Sequence, residues 1–423
     1  MRKSLIFALL VHCILYSCSA ISDLPDNMQS DNWTIFRGSP SLSGNSECSV
    51  PAVPLLRWSR TVQTRTVASP IVCEGVVYTL DRKGRLRSFS AEGDSALVFD
   101  FNTPIEASFI VSDSVLYIGR IDGFLNAFSL KDKKLLWEYE TLGQISGSPN
   151  LMTCTMYNLQ STNSTSSANT HHPTPNTHHP TPNTQHPTPN THHPTPIILI
   201  GSYDGGMYAL DAASGKLKNR YATGHYINGT AAVWHNFMVF GGCDSWLRMV
   251  DCTTGVCTDS LQLDTYLPAS PAILGDIAYE ADYNGNIYEI RLKNEQFASH
   301  KKLVEVSKEG EDDASGLVAM PTAARDAVIA FTGERYISCF ERTDGRLRWR
   351  KMLRGITGES SPIVCDDKVI VCTKDGHISL LDLDNGKELW HYDCGEQIIA
   401  SPAVIPGCFY ILTSRGTLMC FMN

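Results

Sequence analysis

Short apolar runs bounded by turn residues dominate the chain, and their length and spacing are those of strands, not helices. Val76-Val77-Tyr78, Val115-Leu116-Tyr117-Ile118, Ile197-Ile198-Leu199-Ile200 and Val369-Ile370-Val371 are β-branched or aromatic runs of this kind. Asp122-Gly123, Asp204-Gly205, Asn284-Gly285 and Asp375-Gly376 supply dipeptides that tolerate positive φ in a hairpin turn. A second turn signal follows the third run of a unit, as in Asp211-Ala212-Ala213-Ser214-Gly215-Lys216 and Asp384-Asn385-Gly386-Lys387.

The pattern is periodic. A small-Pro-apolar start occurs at Ser69, Ser148, Ser270, Ser361 and Ser401, with weaker copies at Ser108, Thr230 and Met320. These eight anchors stand about 40 residues apart, apart from a gap of 82 after Ser148 and one of 50 after Ser270. Fifteen positions after most anchors comes a glycine (Gly84, Gly123, Gly285, Gly376, Gly416), with Ser245 and Arg335 in that slot in two copies. Twenty-nine positions after three anchors comes tryptophan: Trp137, Trp349 and Trp390.

Four short antiparallel strands per ~40 residues make one propeller blade, so eight anchors predict a single all-β, eight-bladed β-propeller. The tryptophan slot of the last copy falls beyond Asn423, while an orphan Leu55-Leu56-Arg57-Trp58-Ser59 precedes the first anchor. The expectation is that this N-terminal strand completes the last blade and leaves no open sheet edge. Trp58, Trp137, Trp349 and Trp390 are then structural, burying apolar area between blades. Asn219, Asp259 and Ser299 lie near the tryptophan slot in other copies, and those blades should pack less tightly.

Composition narrows the reading. With 43% hydrophobic and 19% charged residues the chain is an ordinary globular one. A net charge of -9 without a basic cluster argues against nucleic acid as a partner. The start, Met1-Arg2-Lys3 followed by an apolar run to Leu15, reads as an export signal over residues 1–20. Two processing readings stay open. Leu15-Tyr16-Ser17-Cys18 resembles a lipobox, which makes Cys18 the lipidation candidate and its lipid the sole membrane contact. Alternatively, Cys18-Ser19-Ala20 is cut after Ala20. Residues 21–54 form a lead-in and residues 55–423 the propeller, expected to be monomeric and located in the periplasm or outer membrane, or secreted.

The 82-residue gap holds an insertion, residues 154–196 within the third blade, with near-copies of Thr-His-His-Pro-Thr-Pro-Asn. Such a tract buries almost nothing and should be disordered with polyproline-II character. Its histidines lack anything to fix a coordination geometry, so loop expansion is the reading preferred over metal binding. It falls between first and second strands. The acidic run Glu309, Glu311, Asp312, Asp313 belongs to the 50-residue gap and should lie on the opposite face.

Leu381-Asp382-Leu383-Asp384-Asn385-Gly386-Lys387-Glu388-Leu389-Trp390 and the Ser-Pro strand starts resemble the blade signature of the pyrroloquinoline-quinone-like (PQQ-like) repeat family. Trp33-Thr34-Ile35-Phe36-Arg37-Gly38 resembles a segment that often precedes the propeller in exported members. The resemblance covers residues 31–423. That family includes quinone-dependent dehydrogenases, the lipoprotein scaffold of the outer-membrane β-barrel assembly machinery, and exported propellers without assigned roles. The chain looks most like the latter two, and the resemblance implies a non-catalytic scaffold with a protein partner. A small-molecule or glycan binder is the alternative. A dehydrogenase, with PQQ as cofactor, is the least favoured reading, because the adjacent cysteine pair of those enzymes is missing.

No catalytic, cofactor or metal residue can be named from motifs. Glu280-Ala281-Asp282-Tyr283-Asn284-Gly285 matches the start of a calcium loop, but its twelfth position is Arg291 and Gly285 fills the repeat's turn slot. Cys252 and Cys257 flank a third-to-fourth-strand turn and form a candidate disulfide, with two thiols as the other reading. Asn32, Asn163 and Asn228 occupy Asn-x-Ser/Thr sequons.

Overall fold

A computed structural model describes residues 32–62, 64–153, 196–305 and 319–423. Eight four-stranded antiparallel blades follow one another in chain order, spanning residues 71–100, 109–140, 150–222, 232–262, 272–304, 322–352, 363–393 and 403–422. The expected all-β propeller is borne out, with no α-helix among the described residues. Blade 8 takes its fourth strand from Leu55–Thr61, which pairs antiparallel with Thr417–Met422 and sets Trp58 opposite Cys420.

The core lies between blades, as seven apolar clusters filling the eight seams. Each blade has a register shift between its third and fourth strands, just before the tryptophan slot. A bulge re-aims the residue that follows it, and here it turns that residue onto the next blade. Trp58, Trp137 and Trp349 donate from Nε1 to Ala91 O, Ala212 O and Leu383 O at 2.8, 2.9 and 2.8 Å. Trp390 instead packs on Phe421 of blade 8, with 5.4 Å between ring centroids. In blade 1 the slot is filled by Phe99, 4.5 Å from Phe128.

The polar slots are not empty joints. Asn219 Nδ2 donates to Cys252 O at 2.5 Å, and Asp259 accepts from Phe297 N at 2.7 Å. Where Ser299 stands, the seam between blades 5 and 6 has the smallest core cluster, built on Tyr279, Ala323, Val328 and Phe340.

The docked indoles sit on glycines. A methyl group at Gly386, where φ is +70°, would lie 2.7 Å from the Trp349 ring. Gly386→Ala is expected to cost about 2–4 kcal/mol, from left-handed backbone strain plus overpacking. Gly407→Ala is the control: φ is +74° with nothing within 4 Å, so only the backbone cost of about 1–2 kcal/mol applies. Urea unfolding of both variants checks the difference.

One blade turn departs from the expected slot. Gly84, Gly123, Gly205, Ser245, Gly285, Gly376 and Gly416 all have positive φ, but in blade 6 that role belongs to Gly333, two residues before Arg335.

Antiparallel order puts the loops between blades and the second-to-third-strand turns on one face, and the remaining turns on the other. Around that second face runs a girdle, residues 33–49, that no repeat announces. Trp33 pairs with Val72 of blade 1 at 2.7 and 3.0 Å, and Thr34 O accepts from Val111 of blade 2. Pro40 O then takes both the Asn150 side chain of blade 3 and Val233 N of blade 4. Ser41 O, Ser43 O, Gly44 O and Ser49 O accept from Ile273, Ala323, Val364 and Gly407 of blades 5 to 8, each at 2.9 Å. The girdle thus satisfies inner-strand amides that would otherwise be unpaired.

The chain leaves blade 3 at Thr153 and re-enters at Pro196 on the girdle face, Pro196 already opening the second strand. Glu305 and Ala319, which flank the acidic run, stand on the other face, as expected. The signal segment, Cys18, the histidine tract and the acidic run lie outside the described residues.

Candidate functional site

The anchors that mark the repeat also build its centre. All eight line one central cavity of about 190 Å3. Six of their seven hydroxyls couple the blades, each accepting a hydrogen bond from the preceding anchor's backbone N–H. Ser69 N reaches Ser108 Oγ at 2.8 Å, Ser148 N reaches Thr230 Oγ1 at 3.0 Å, and Thr230 N reaches Ser270 Oγ at 2.6 Å. The relay continues from Met320 N to Ser361 Oγ, from Ser361 N to Ser401 Oγ, and closes from Ser401 N to Ser69 Oγ at 3.0 Å. The relay has two breaks: Met320 has no hydroxyl to accept from Ser270 N, and Ser148 Oγ takes no bond from Ser108 N among the described residues. The sequence signal for this ring was the Ser or Thr at seven of eight anchors, which periodicity treats as register alone.

Below the ring, Phe36 of the girdle and Met320 close the cavity. Above it the channel opens, with Glu106, Ser146, Asn228 and Glu359 among its rim residues. Glu106 is ion-paired with Arg82. Ser146 Oγ and Asn228 Oδ1 are buried without a hydrogen-bond partner among the described residues. Asn228 also points its Nδ2 at Cys243 Sγ, 3.5 Å away, so its sequon is turned inward in the folded protein.

A PQQ-type cofactor is an acidic, tricarboxylated quinone, and the cavity suits it poorly. Its lining carries two carboxylates and no lysine, arginine or histidine. Its volume is below the several hundred Å3 usual for cofactor sites. An anion placed there would be desolvated without a counter-charge.

The calcium-like loop is a blade turn. Asp282, fully buried, accepts from Asn284 N, Asn286 N, Asn286 Nδ2 and Tyr288 Oη at 2.7–3.0 Å. Asp81, Asp204 and Asp244 brace the same turn in blades 1, 3 and 4.

Of the two readings of Cys252 and Cys257, the structure has the pair as thiols. The register places Cys257 opposite Val250, so Cys252 falls beyond its facing pair. Cys257 Sγ lies 3.2 Å from Asp259 O, and Cys252 is buried in the seam between blades 3 and 4.

The face around the channel mouth is decorated by the loops between blades. Leu142 (88% exposed), Tyr226 (57%), Tyr266 (42%) and Ile356 (46%) each come from a different one of these loops. Two of them are held by rings from neighbouring turns. Tyr226 stacks on Tyr203 with centroids 5.0 Å apart, and Tyr266 leans on Tyr283 at 4.7 Å.

Residues 298–421 match a family described as outer membrane protein assembly factor BamB. The BamB of Legionella pneumophila (strain Paris) is 29% identical over 223 residues, 52% of this chain and 47% of that protein. The match therefore spans about half of the relative's length. Among solved structures, BamB from Moraxella catarrhalis superposes with a TM-score of 0.63 at 15% identity, covering 88% of this chain and 98% of that one. A europium-containing methanol dehydrogenase gives 0.69 at 11% identity, covering 93% and 98%. The likeness to PQQ-like repeat propellers is thus borne out, and the two solved structures establish the fold alone.

Proposed function

We propose that this propeller is a non-catalytic scaffold that binds a protein partner in outer-membrane protein assembly. The observation that carries it is the set of exposed apolar side chains, one per loop, on the mouth face. Tyrosines held by stacking lose little entropy on docking and are typical interface anchors. A ring of blades closed by the N-terminal strand and tied at its centre by hydrogen bonds presents such loops at fixed spacing. The BamB matches support the class of partner. A periplasmic location and a lipid on Cys18 belong to the same reading. In it, the polypeptide arrives at Asn32, whose side chain accepts from Glu74 N on the girdle face, and the mouth face is left available.

Site-specific photo-crosslinking tests the proposal. A reactive residue at position 226 or 142 is expected to label one common outer-membrane assembly protein, and one at Lys131, on the girdle face, to leave it unlabelled. Equal labelling from both faces would overturn it. A small polar ligand is the second reading, favoured by the hydroxyl ring and by the unpartnered Ser146 and Asn228 atoms. Its mark would be a ligand that survives purification without any cross-linked partner.

A further inference from the structure

Charge is unevenly spread along the chain. Residues 55–90, which run from the closing strand of blade 8 through blade 1, carry seven basic and two acidic side chains in a chain of net charge -9. Three of these cations have partners: Arg82 is ion-paired with Glu106, and Arg85 with Asp81 at 2.9 Å. Arg60 donates to the Gly93 carbonyl at 3.0 Å. Arg65, from this segment, and Arg415, from blade 8, meet at one concavity. Arg65 and Arg415 flank a depression of about 480 Å3 above blade 8, lined otherwise by Thr61, Ser414 and Glu396. Both are exposed, and neither forms an ion pair among the described residues.

The floor of the depression is fixed. Val62 N donates to Gly416 O at 3.0 Å, Thr66 N to Ser414 O at 3.1 Å, and Arg82 N to Arg65 O at 2.9 Å. The one carboxylate in the lining is already engaged, since Glu396 Oε2 accepts from Thr413 Oγ1 at 2.6 Å. Beside Arg65, the Thr64 hydroxyl is buried without a partner among the described residues. Two unpaired guanidinium forks on a rigid backbone, over a concavity of ligand size, match the planar, bidentate geometry of carboxylates and phosphates.

We infer that the depression framed by Arg65 and Arg415 is a binding site for a compact, multiply charged anion of the carboxylate or phosphate class. The two guanidinium groups clamp the ligand, and the Ser414 hydroxyl completes its hydrogen bonds. The site is separate from the apolar loops proposed for docking, which lie over blades 3 to 5 and 7, so either assignment can fail without the other.

Calorimetric titration of the full chain with inorganic pyrophosphate and with citrate, sucrose serving as the neutral control, tests it. Saturable binding of at least one anion is expected, weakened at least about tenfold by Arg65→Gln or Arg415→Gln and abolished by both together. Raised salt should weaken it further. Both substitutions are at exposed positions, so urea midpoints should not change, and an unfolded variant would show itself there. Binding that survives the double substitution would overturn the assignment. So would the absence of heat with either anion, or binding only of a polyglutamate peptide.

Discussion

Replacing Arg37 with leucine is expected to destabilise the protein by about 4 kcal/mol or more, because it leaves several buried carbonyl groups without a donor. Arg37 is fully buried, and its guanidinium meets no carboxylate among the described residues. It donates instead to Leu42 O, Ser43 O, Met320 O and Pro321 O at 3.1, 3.3, 3.3 and 2.8 Å, and to Thr322 Oγ1 at 2.8 Å. Burial pushes the guanidinium down to about 9, which still leaves it charged at neutral pH. Leucine removes the desolvated charge, a gain, but every one of those oxygens stays in the interior, and of them Ser43 O keeps its bond from Ala323 N and Thr322 Oγ1 its bond to Pro362 O, while Leu42 O, Met320 O and Pro321 O lose the arginine donor. Arg37→Lys should fall between the two, since one ammonium cannot reach five acceptors in a fork. Urea unfolding ranks the three proteins. A leucine variant as stable as the parent would mean that the girdle is not tied to blade 6 through this side chain.

Glu280→Gln should do the opposite. Glu280 is fully buried on the second strand of blade 5, and its Oε2 has no partner among the described residues. Burial raises its pKa to about 8, with a smaller push from Asp282 and an opposing hydrogen bond from Ala281 N. In the unfolded chain the group ionises near 4.5. The folded state therefore holds a proton that the unfolded state releases. Stability from this group is complete below pH 4.5, declines as pH rises, and reaches its minimum once pH exceeds about 8. At pH 7 the loss is about 3 kcal/mol, from roughly two and a half pH units at 1.36 kcal/mol each. Glutamine keeps the acceptor for Ala281 N and has no proton to lose. The variant is expected to gain about 4 kcal/mol at pH 8 and to match the parent near pH 4. Parallel stability profiles for the two proteins across that range would remove Glu280 as the cause.

Legibility followed the side chains. The blades could be read because each repeats its strand starts, its positive-φ turns and its tryptophan, and the closing role of Trp58 followed from one missing strand. The girdle could not be read in the same way. Its contacts are made by the carbonyls of Thr34, Pro40, Ser41, Ser43, Gly44 and Ser49, and any residue supplies a carbonyl. Arg37 was visible within Trp33-Thr34-Ile35-Phe36-Arg37-Gly38, but nothing in its neighbours announces burial. The Asn219 and Asp259 slots looked like weak joints because hydrophobic area is legible in sequence and a hydrogen bond across a seam is not. For Cys252 and Cys257, spacing left both a disulfide and two thiols open, since the bulge that shifts their register leaves no trace in residue type. At the channel, seven hydroxyl-bearing anchors were in plain view, and only the folded ring gave six of them a partner on the neighbouring blade.

Closure also imposes an order in time. Thr61 and Thr417 share a hydrogen bond at 2.9 Å although 356 residues separate them. At ribosomal speeds of roughly 5–20 residues per second, tens of seconds pass between the making of these two strands. Throughout that interval the outer strand around Trp58 has no sheet to join. The girdle before it can gather blades only as each is completed. Assembly of this ring is therefore a wait, in which the first segment made is the last to find its place. The newborn protein meets the cell with an adhesive strand exposed until its C-terminal segment arrives.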